Sequence, residues 1–534
     1  MSKMDRRNLL KLGAWGLIAS SSIGSWLYSQ FSGRSGIAFA KDVASDVNFT
    51  PFQEDLPLPG DIPQVAPFNH TCQIPNLAEI DKPPKYHEVH VREATTQIVP
   101  GLDTEILGYN GLFPGPTLRS RRGEPAIVRF YNDSPVELST HNHGGHQPSE
   151  SDGFPIDLIH PGEFKDYYYP NINPVDPIPW TGDPKFNASD FPSTLWYHDH
   201  AMDITGENVY RGLAGFHLCK DELEEGLITD GVLPGDPYDI PLVIQDRKLA
   251  MDGSLVYEPK EDNFDGILGD LMVINGKAFP KFNVERKKYR FRILNGSNAR
   301  WIELRLTHGG FLQVGNDSWL MGAAVGRQSI RLSPAERAEV IVDFRDAPQE
   351  VFLQNFLAMK DGRRPEDSVL DVGLPILKFV VDPGSAREDN VPNLEEGTEL
   401  RPHLPIREDE IVKTREFEFN RSKGTWMING KAFDPERDDA TPKLGTAERW
   451  ILKNGHGGWA HPVHIHSEAM QIQSFNGHPP AKQDSFKKDT IPLGRHDEAE
   501  VFVKFRTFSG RFVFHCHNLE HEDVFMMGKI NVIA

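Results

Sequence analysis

The chain has 534 residues, a formal net charge of −20, 38% hydrophobic residues, 46 Gly and 41 Pro. That length exceeds a single hydrophobic core and predicts about two to four turn-rich globular domains, with no low-complexity tract to mark long disorder. The acidic charge is spread along the chain, which excludes nucleic acid as a partner, because phosphate binding needs a basic face.

The chain opens with Arg6-Arg7-Asn8-Leu9-Leu10-Lys11, a weakly apolar run from Leu12 to Leu27, and the small-residue pattern Ala38-Phe39-Ala40. This resembles a bacterial twin-arginine export signal over residues 1–40, with a mature periplasmic or secreted protein starting near Lys41. An uncleaved anchor is the alternative. The run is poor in large apolar residues, so no stable membrane insertion is expected after signal removal. Cys72, Cys219 and Cys516 are the only cysteines. Three cannot build a disulfide framework; a Cys72–Cys219 pair stays open, and Cys516 stands apart between two histidines.

An internal repeat sets the domain organisation. Its weakest copy comes first, as Tyr109-Asn110-Gly111-Leu112-Phe113 followed by Ala126–Asn132. The second is Val273-Ile274-Asn275-Gly276-Lys277-Ala278-Phe279 followed by Tyr289–Asn295, and the third is Met427-Ile428-Asn429-Gly430-Lys431-Ala432-Phe433 followed by Arg449–Asn454. Each copy ends in an alternating strand closed by Asn. Three units of one type are predicted, at 41–225, 226–390 and 391–534, with boundaries near 226–240 and 383–408. Alternating stretches such as Ala338–Phe344 and Ala499–Phe505, with almost no helical periodicity, predict an all-β chain of Greek-key sandwiches or barrels. Short helices are expected around Ser193–Met202 and after Cys516.

Ten of the 21 histidines fall into four clusters: His141 and His143; His198 and His200; His461, His464 and His466; His515, His517 and His521. On a strand, residues two apart face the same way, so each His-x-His presents two imidazoles to one side. Four doublets give eight imidazoles, more than one ion takes. Cys516, between His515 and His517, must face the opposite way, and His461 has opposite parity to His464 and His466. Cys516, His461 and His521 therefore form a second set, to which Met526 adds a thioether, with Met527 as competitor. A His2Cys set with a long axial Met is the blue-copper signature of one-electron transfer, and the imidazole-rich set suits copper that meets O2. Zinc closes at four ligands and does not fit two sets of opposite parity.

With all four motifs in order, the chain from about residue 50 onward resembles a three-domain multicopper oxidase. The resemblance implies three cupredoxin-like Greek-key domains and four copper ions. His461, Cys516, His521 and Met526 would hold type 1 copper, and His141 and His464 type 2 copper. His143, His198, His200, His466, His515 and His517 would hold the type 3 pair. His143-Gly144-Gly145 to Gly153, His200 to Thr205 and His515 to Met527 are similar to bacterial spore-coat-type laccases and bilirubin oxidases. Gly457-Gly458-Trp459-Ala460-His461-Pro462 is similar to bilirubin oxidases, where a Trp two residues before the type 1 His tunes the site.

The activity so implied couples one-electron oxidation of phenolic, other aromatic or tetrapyrrole reductants to reduction of O2 to water. The reductant is expected to dock near a solvent-facing His521 or His461. Asp152 and Glu522 are named as proton-relay residues, since O–O cleavage consumes protons; the alternative for each is a plain ion pair. The chain is read as a monomer. The rival activities are a metal-ion oxidase for Cu(I) or Mn(II), although no Met-rich insert is present, and a copper-free cupredoxin-fold scaffold, although every ligand is intact.

Overall fold

The computed structural model describes residues 47–77, 80, 82–174, 190–455 and 457–534. The expected export signal lies outside them. No helix of the described residues is long and apolar enough to cross a membrane.

The repeat has a local physical cause. Asn110 and Gly111, Asn275 and Gly276, and Asn429 and Gly430 all have φ between 47° and 85°. Two successive positive φ angles make a tight hairpin turn whose twist matches its strands, and Asn-Gly tolerates it best. Each Asn also clamps the strand before the one that leads into its turn. Asn275 Oδ1 accepts from Val243 N at 2.8 Å, Asn429 Oδ1 from Glu418 N at 2.7 Å, and Asn110 Oδ1 from His90 N at 2.8 Å.

The strands so clamped, Lys85–Val99, Asp239–Arg247 and Ile411–Ser422, each pair in parallel with a later strand of the same unit. Those partners are Ala126–Asn132, Lys288–Asn295 and Ala447–Asn454. Their closing asparagines repeat one bonding pattern, each giving Nδ2 to two loop carbonyls. Asn132 bonds Val136 and Ile159, Asn295 bonds Arg300 and Leu332, and Asn454 bonds Trp459 and Gly494. Asn295 is fully buried. Asn295→Ala leaves two carbonyls unpaired and is expected to lower stability by about 2 kcal/mol, read from the denaturant midpoint. An unmoved midpoint would show that the loop holds without it.

Among the described residues the strands form six sheets in three successive pairs, as the all-β expectation requires. Five- and four-stranded sheets lie between Gln64 and Lys220, seven- and five-stranded sheets between Asp239 and Val381, and six- and four-stranded sheets between Ile411 and Val532. Each pair encloses its own apolar core. Examples are Val89, Val128 and Tyr167 in the first, Phe291, Val340 and Phe379 in the second, and Phe417, Trp450 and Phe514 in the third.

Among the described residues helix is confined to short pieces, with one difference from expectation. Residues 194–199 form a strand, and the helix begins only at Thr205, running to Arg211. All six residues of Thr194–Asp199 are buried, so both faces are apolar or ligand-bearing and the alternation that marks a strand is lost. The helix expected after Cys516 spans Leu519–Asp523.

Candidate metal centre

Two antiparallel pairings bring the histidine doublets together. Thr140–His143 lies beside Thr194–Asp199 with His141 opposite His198. His461–Ile465 lies beside Gly510–Cys516 with His464 opposite His515 and Val463 opposite Cys516. The two strand pairs then meet face to face. His141 stacks on His466 with ring centroids 3.7 Å apart, and His143 stacks on His464 at 3.6 Å.

Donor atoms of His141, His143 and His198, of His141, His464 and His466, and of His200, His466 and His515 lie within 4.8 Å of one another in each trio. His517 completes the set, its ring 5.2 Å from those of both His143 and His198. On the other side of the strand, Cys516 Sγ is 3.4 Å from His461 Nδ1 and 3.5 Å from His521 Nδ1. The Cys516 carbonyl faces back to His515 Nδ1 at 3.2 Å, so one residue touches both sets.

The hydrogen bonds fix which nitrogen each ring keeps for a ligand. His141, His198 and His464 give Nδ1 to the carbonyls of Asp152, Asp199 and Asp489 at 2.6, 2.7 and 2.8 Å. Their Nε2 atoms are buried and without a partner among the described residues, as are both ring nitrogens of His517. His143 is turned the other way: Nε2 meets Asp489 Oδ1 at 3.1 Å and Nδ1 is left open. Buried, unpaired nitrogens converging on one space are costly unless something ligates them, so the donor set fits metal ions.

Electrostatics agree. Burial, then neighbouring imidazoles, hold His141 and His466 well below the usual histidine range, and burial brings His198 to about 3 and His200 to about 4. All are therefore neutral, with lone pairs available to metal. Burial also pushes the Cys516 thiol far up, so its thiolate needs a metal to form.

The carboxylates take definite places. Asp152 Oδ2 accepts from His466 Nδ1 at 2.7 Å, while Oδ1 accepts from Gln147 Nε2 at 2.7 Å. Burial raises the Asp152 carboxyl well above the ordinary range. Glu522 lies 3.0 Å from His515 Nδ1 and 3.4 Å from His200 Nε2. Burial would raise its carboxyl, but His515 and His200 together hold it below the usual range. Asp489 was not found in the sequence; it lies between two motifs and carries no spacing signal of its own.

Met526 and Met527 part company. Met526 is buried in the same core as Cys516, and its carbonyl accepts from Cys516 N at 3.1 Å. Met527 pairs with His515 and packs against Phe154, Phe433 and Val513. Cys72 and Cys219 are both free thiols.

One expectation about the His461–His521 side needs correction, that these histidines face solvent. Trp459 sits at one remove, giving Nε1 to Asp265 Oδ1 at 2.9 Å and packing edge-on against Trp426. It is Trp426 that covers the site, its ring 3.7 Å from that of His521 and 5.7 Å from that of His461. Neither histidine faces solvent: His461 is 1% and His521 0% exposed. The Asp265 carbonyl, from the second pair of sheets, caps His521 Nε2 at 3.2 Å.

Comparison with known proteins agrees with this geometry. Residues 90–224 and 406–534 each match a multicopper oxidase family model. The chain is 35% identical over 464 residues to a bilirubin oxidase of Albifimbria verrucaria, covering 84% of this chain and 76% of that one. It is 32% identical over 511 residues to a laccase of Bacillus subtilis, covering 84% and 94%. A laccase structure from Pediococcus acidilactici superposes with a TM-score of 0.75 at 28% identity, covering 95% and 97%. A Campylobacter jejuni multicopper oxidase, described as a metallo-oxidase, superposes at 0.74 with 25% identity, covering 93% and 99%. The sheet pairs are thus cupredoxin-like Greek-key domains, and the chain belongs to the multicopper oxidases, copper-dependent oxidoreductases with O2 as acceptor.

Proposed function

We propose that the chain is a laccase-like or bilirubin-oxidase-like enzyme that takes single electrons from phenolic, other aromatic or tetrapyrrole reductants and delivers them to O2. The observation that carries this reading is the His515-Cys516-His517 tripeptide, whose thiol faces one ligand set while its two imidazoles face another. His461, Cys516, His521 and Met526 would hold a type 1 copper. His141 and His464 would hold a type 2 copper, and His143, His198, His200, His466, His515 and His517 a type 3 pair. Copper so held supplies one-electron oxidation at the first set and reduction of O2 to water at the second.

The protein's share is placement and proton handling. Trp426 and the Asp265 carbonyl fix the His521 ring and keep water from it. A reductant would meet Arg363 and the half-buried Trp459, which cover the buried Asp265. The Arg363 carbonyl accepts from Ala460 N at 2.8 Å, beside His461, and its guanidinium bonds Asp265 at 2.7 Å. Arg363 is half exposed, so a bound reductant would rest one residue away from either ligand histidine. Asp152 and Glu522, in contact with cluster imidazoles, would pass the protons that O2 reduction consumes. Residues 1–40 are read as a twin-arginine signal on Arg6-Arg7 and Ala38-Phe39-Ala40, giving a periplasmic or secreted enzyme.

The test is purification with copper, followed by side-by-side turnover of a phenolic dye and bilirubin under O2. An intense thiolate-to-copper absorption and turnover of at least one organic reductant are expected. Colourless, inactive protein with full copper loading would defeat the reading. Turnover of Cu(I) or Mn(II) in place of both organic reductants would overturn the substrate class alone.

A further inference from the structure

The second pair of sheets carries no copper-ligand candidate, yet one of its arginines reaches the histidine cluster. Arg337, on the strand Arg337–Asp343, is fully buried. Its guanidinium grips the Asp489 carboxylate by both oxygens, NH1 to Oδ1 at 2.7 Å and NH2 to Oδ2 at 2.5 Å. Its Nε donates to the carbonyl of Thr194 at 3.2 Å, at the start of the strand that bears His198. Ser318 Oγ and Thr490 Oγ1 add bonds to the two oxygens of Asp489 at 3.1 and 3.0 Å. Asp317 holds the frame, accepting from Arg337 N at 3.1 Å and from Asp489 N at 3.0 Å.

Asp489 in turn faces two cluster histidines. Its Oδ1 meets His143 Nε2 at 3.1 Å, and its carbonyl accepts from His464 Nδ1 at 2.8 Å. Its carboxylate also lies within 4.8 Å of the donor atoms of both, close enough to be a ligand itself. Gly144 shows how tightly the plug is fitted: at φ 80°, a Cβ there would lie 1.9 Å from Ser318 Oγ and 2.7 Å from Arg337 NH2. Only glycine leaves room for the middle domain's side chains behind His143.

We propose that Arg337 is a positioning residue for the oxygen-reducing cluster. By holding the Asp489 carboxylate flat, it directs Oδ1 at His143 Nε2, so that His143 offers Nδ1 to the metal while its neighbours offer Nε2. It also keeps the carboxylate from swinging onto the metal, because a guanidinium fork fixes both oxygens where an ammonium would fix one. The middle domain thereby sets the ligand geometry of a centre to which it contributes no ligand. This inference rests on the copper reading of the cluster.

The test compares copper retention against a chelator in Arg337→Met, Arg337→Lys and Arg337→Met/Asp489→Leu. Thiolate absorption reports the Cys516 site, and total copper compared with that absorption reports the copper held by the cluster. Arg337→Met is expected to keep the thiolate absorption and to hold cluster copper about 10–100-fold more weakly, the usual cost of losing a residue that orients a ligand. Arg337→Lys should fold and lose about 10-fold. The double variant removes both buried charges and should recover thermal stability without recovering cluster copper. Recovery of both together would overturn the proposal. So would equal loss of cluster copper in Arg401→Met, which breaks the remote buried Arg401–Asp221 pair (2.7 and 2.9 Å). Absence of thiolate absorption from the copper-loaded parent would instead sink the copper reading itself.

Discussion

Cys516→Ser is expected to abolish the thiolate absorption and to drop turnover of every reductant to the level of copper-free protein, while copper remains at the eight-histidine cluster. The thiol is 0% exposed and lies within 3.5 Å of one ring nitrogen from each of His461 and His521. Serine fits the same space and keeps the backbone bond to Met526, so the domain should fold. Its hydroxyl, though, does not ionise in a buried site and is a hard oxygen donor where a soft sulfur is needed. His141, His198 and His464 donate Nδ1 to the carbonyls of Asp152, Asp199 and Asp489, none of which touches the thiol. Copper analysis, absorption and O2 consumption on the same preparation check this. Surviving turnover would mean that electrons reach the cluster by a route that bypasses Cys516.

Much of the fold was legible because it repeats locally. An Asn-Gly pair needs two positive φ angles, and a strand closed by Asn needs two loop carbonyls; both conditions are written within a few residues of sequence. The placement of the doublets was legible for a similar reason, since parity along one strand decides which side each imidazole takes. What escaped comes from residues whose partners lie far along the chain. Arg337 and Asp489 are 152 positions apart, and no spacing rule joins them. The indole that covers the His521 ring is Trp426, which lies far from His521 along the chain. The expectation of solvent-facing ligand histidines failed for the same reason. The cap, Asp265, belongs to another domain, and nothing near His521 in sequence announces it.

Glu522→Gln is expected to slow reoxidation of the reduced enzyme by O2 about 100-fold, within the range for loss of a positioned proton donor or acceptor. Anaerobic bleaching of the thiolate absorption by the reductant should be unchanged. The substitution is informative because glutamine keeps one carbonyl oxygen. It can still lie against His515, whose Nδ1 is 3.0 Å from the carboxylate and bonds the Cys516 carbonyl at 3.2 Å, so the ring keeps its orientation. What it loses is the ability to take up and release a proton. The carboxylate lies 3.0 Å from His515 Nδ1 and 3.4 Å from His200 Nε2, so a proton it carries sits on the cluster side. A narrow pocket lined by Pro155, Met202, Phe433 and Phe525 reaches Glu522 and His200. Leucine at the same position would remove both roles at once, so Glu522→Leu should also loosen cluster copper where Glu522→Gln does not. If Glu522→Gln reoxidises at the parent rate, the carboxylate only orients His515 and His200, and the protons arrive through Asp152.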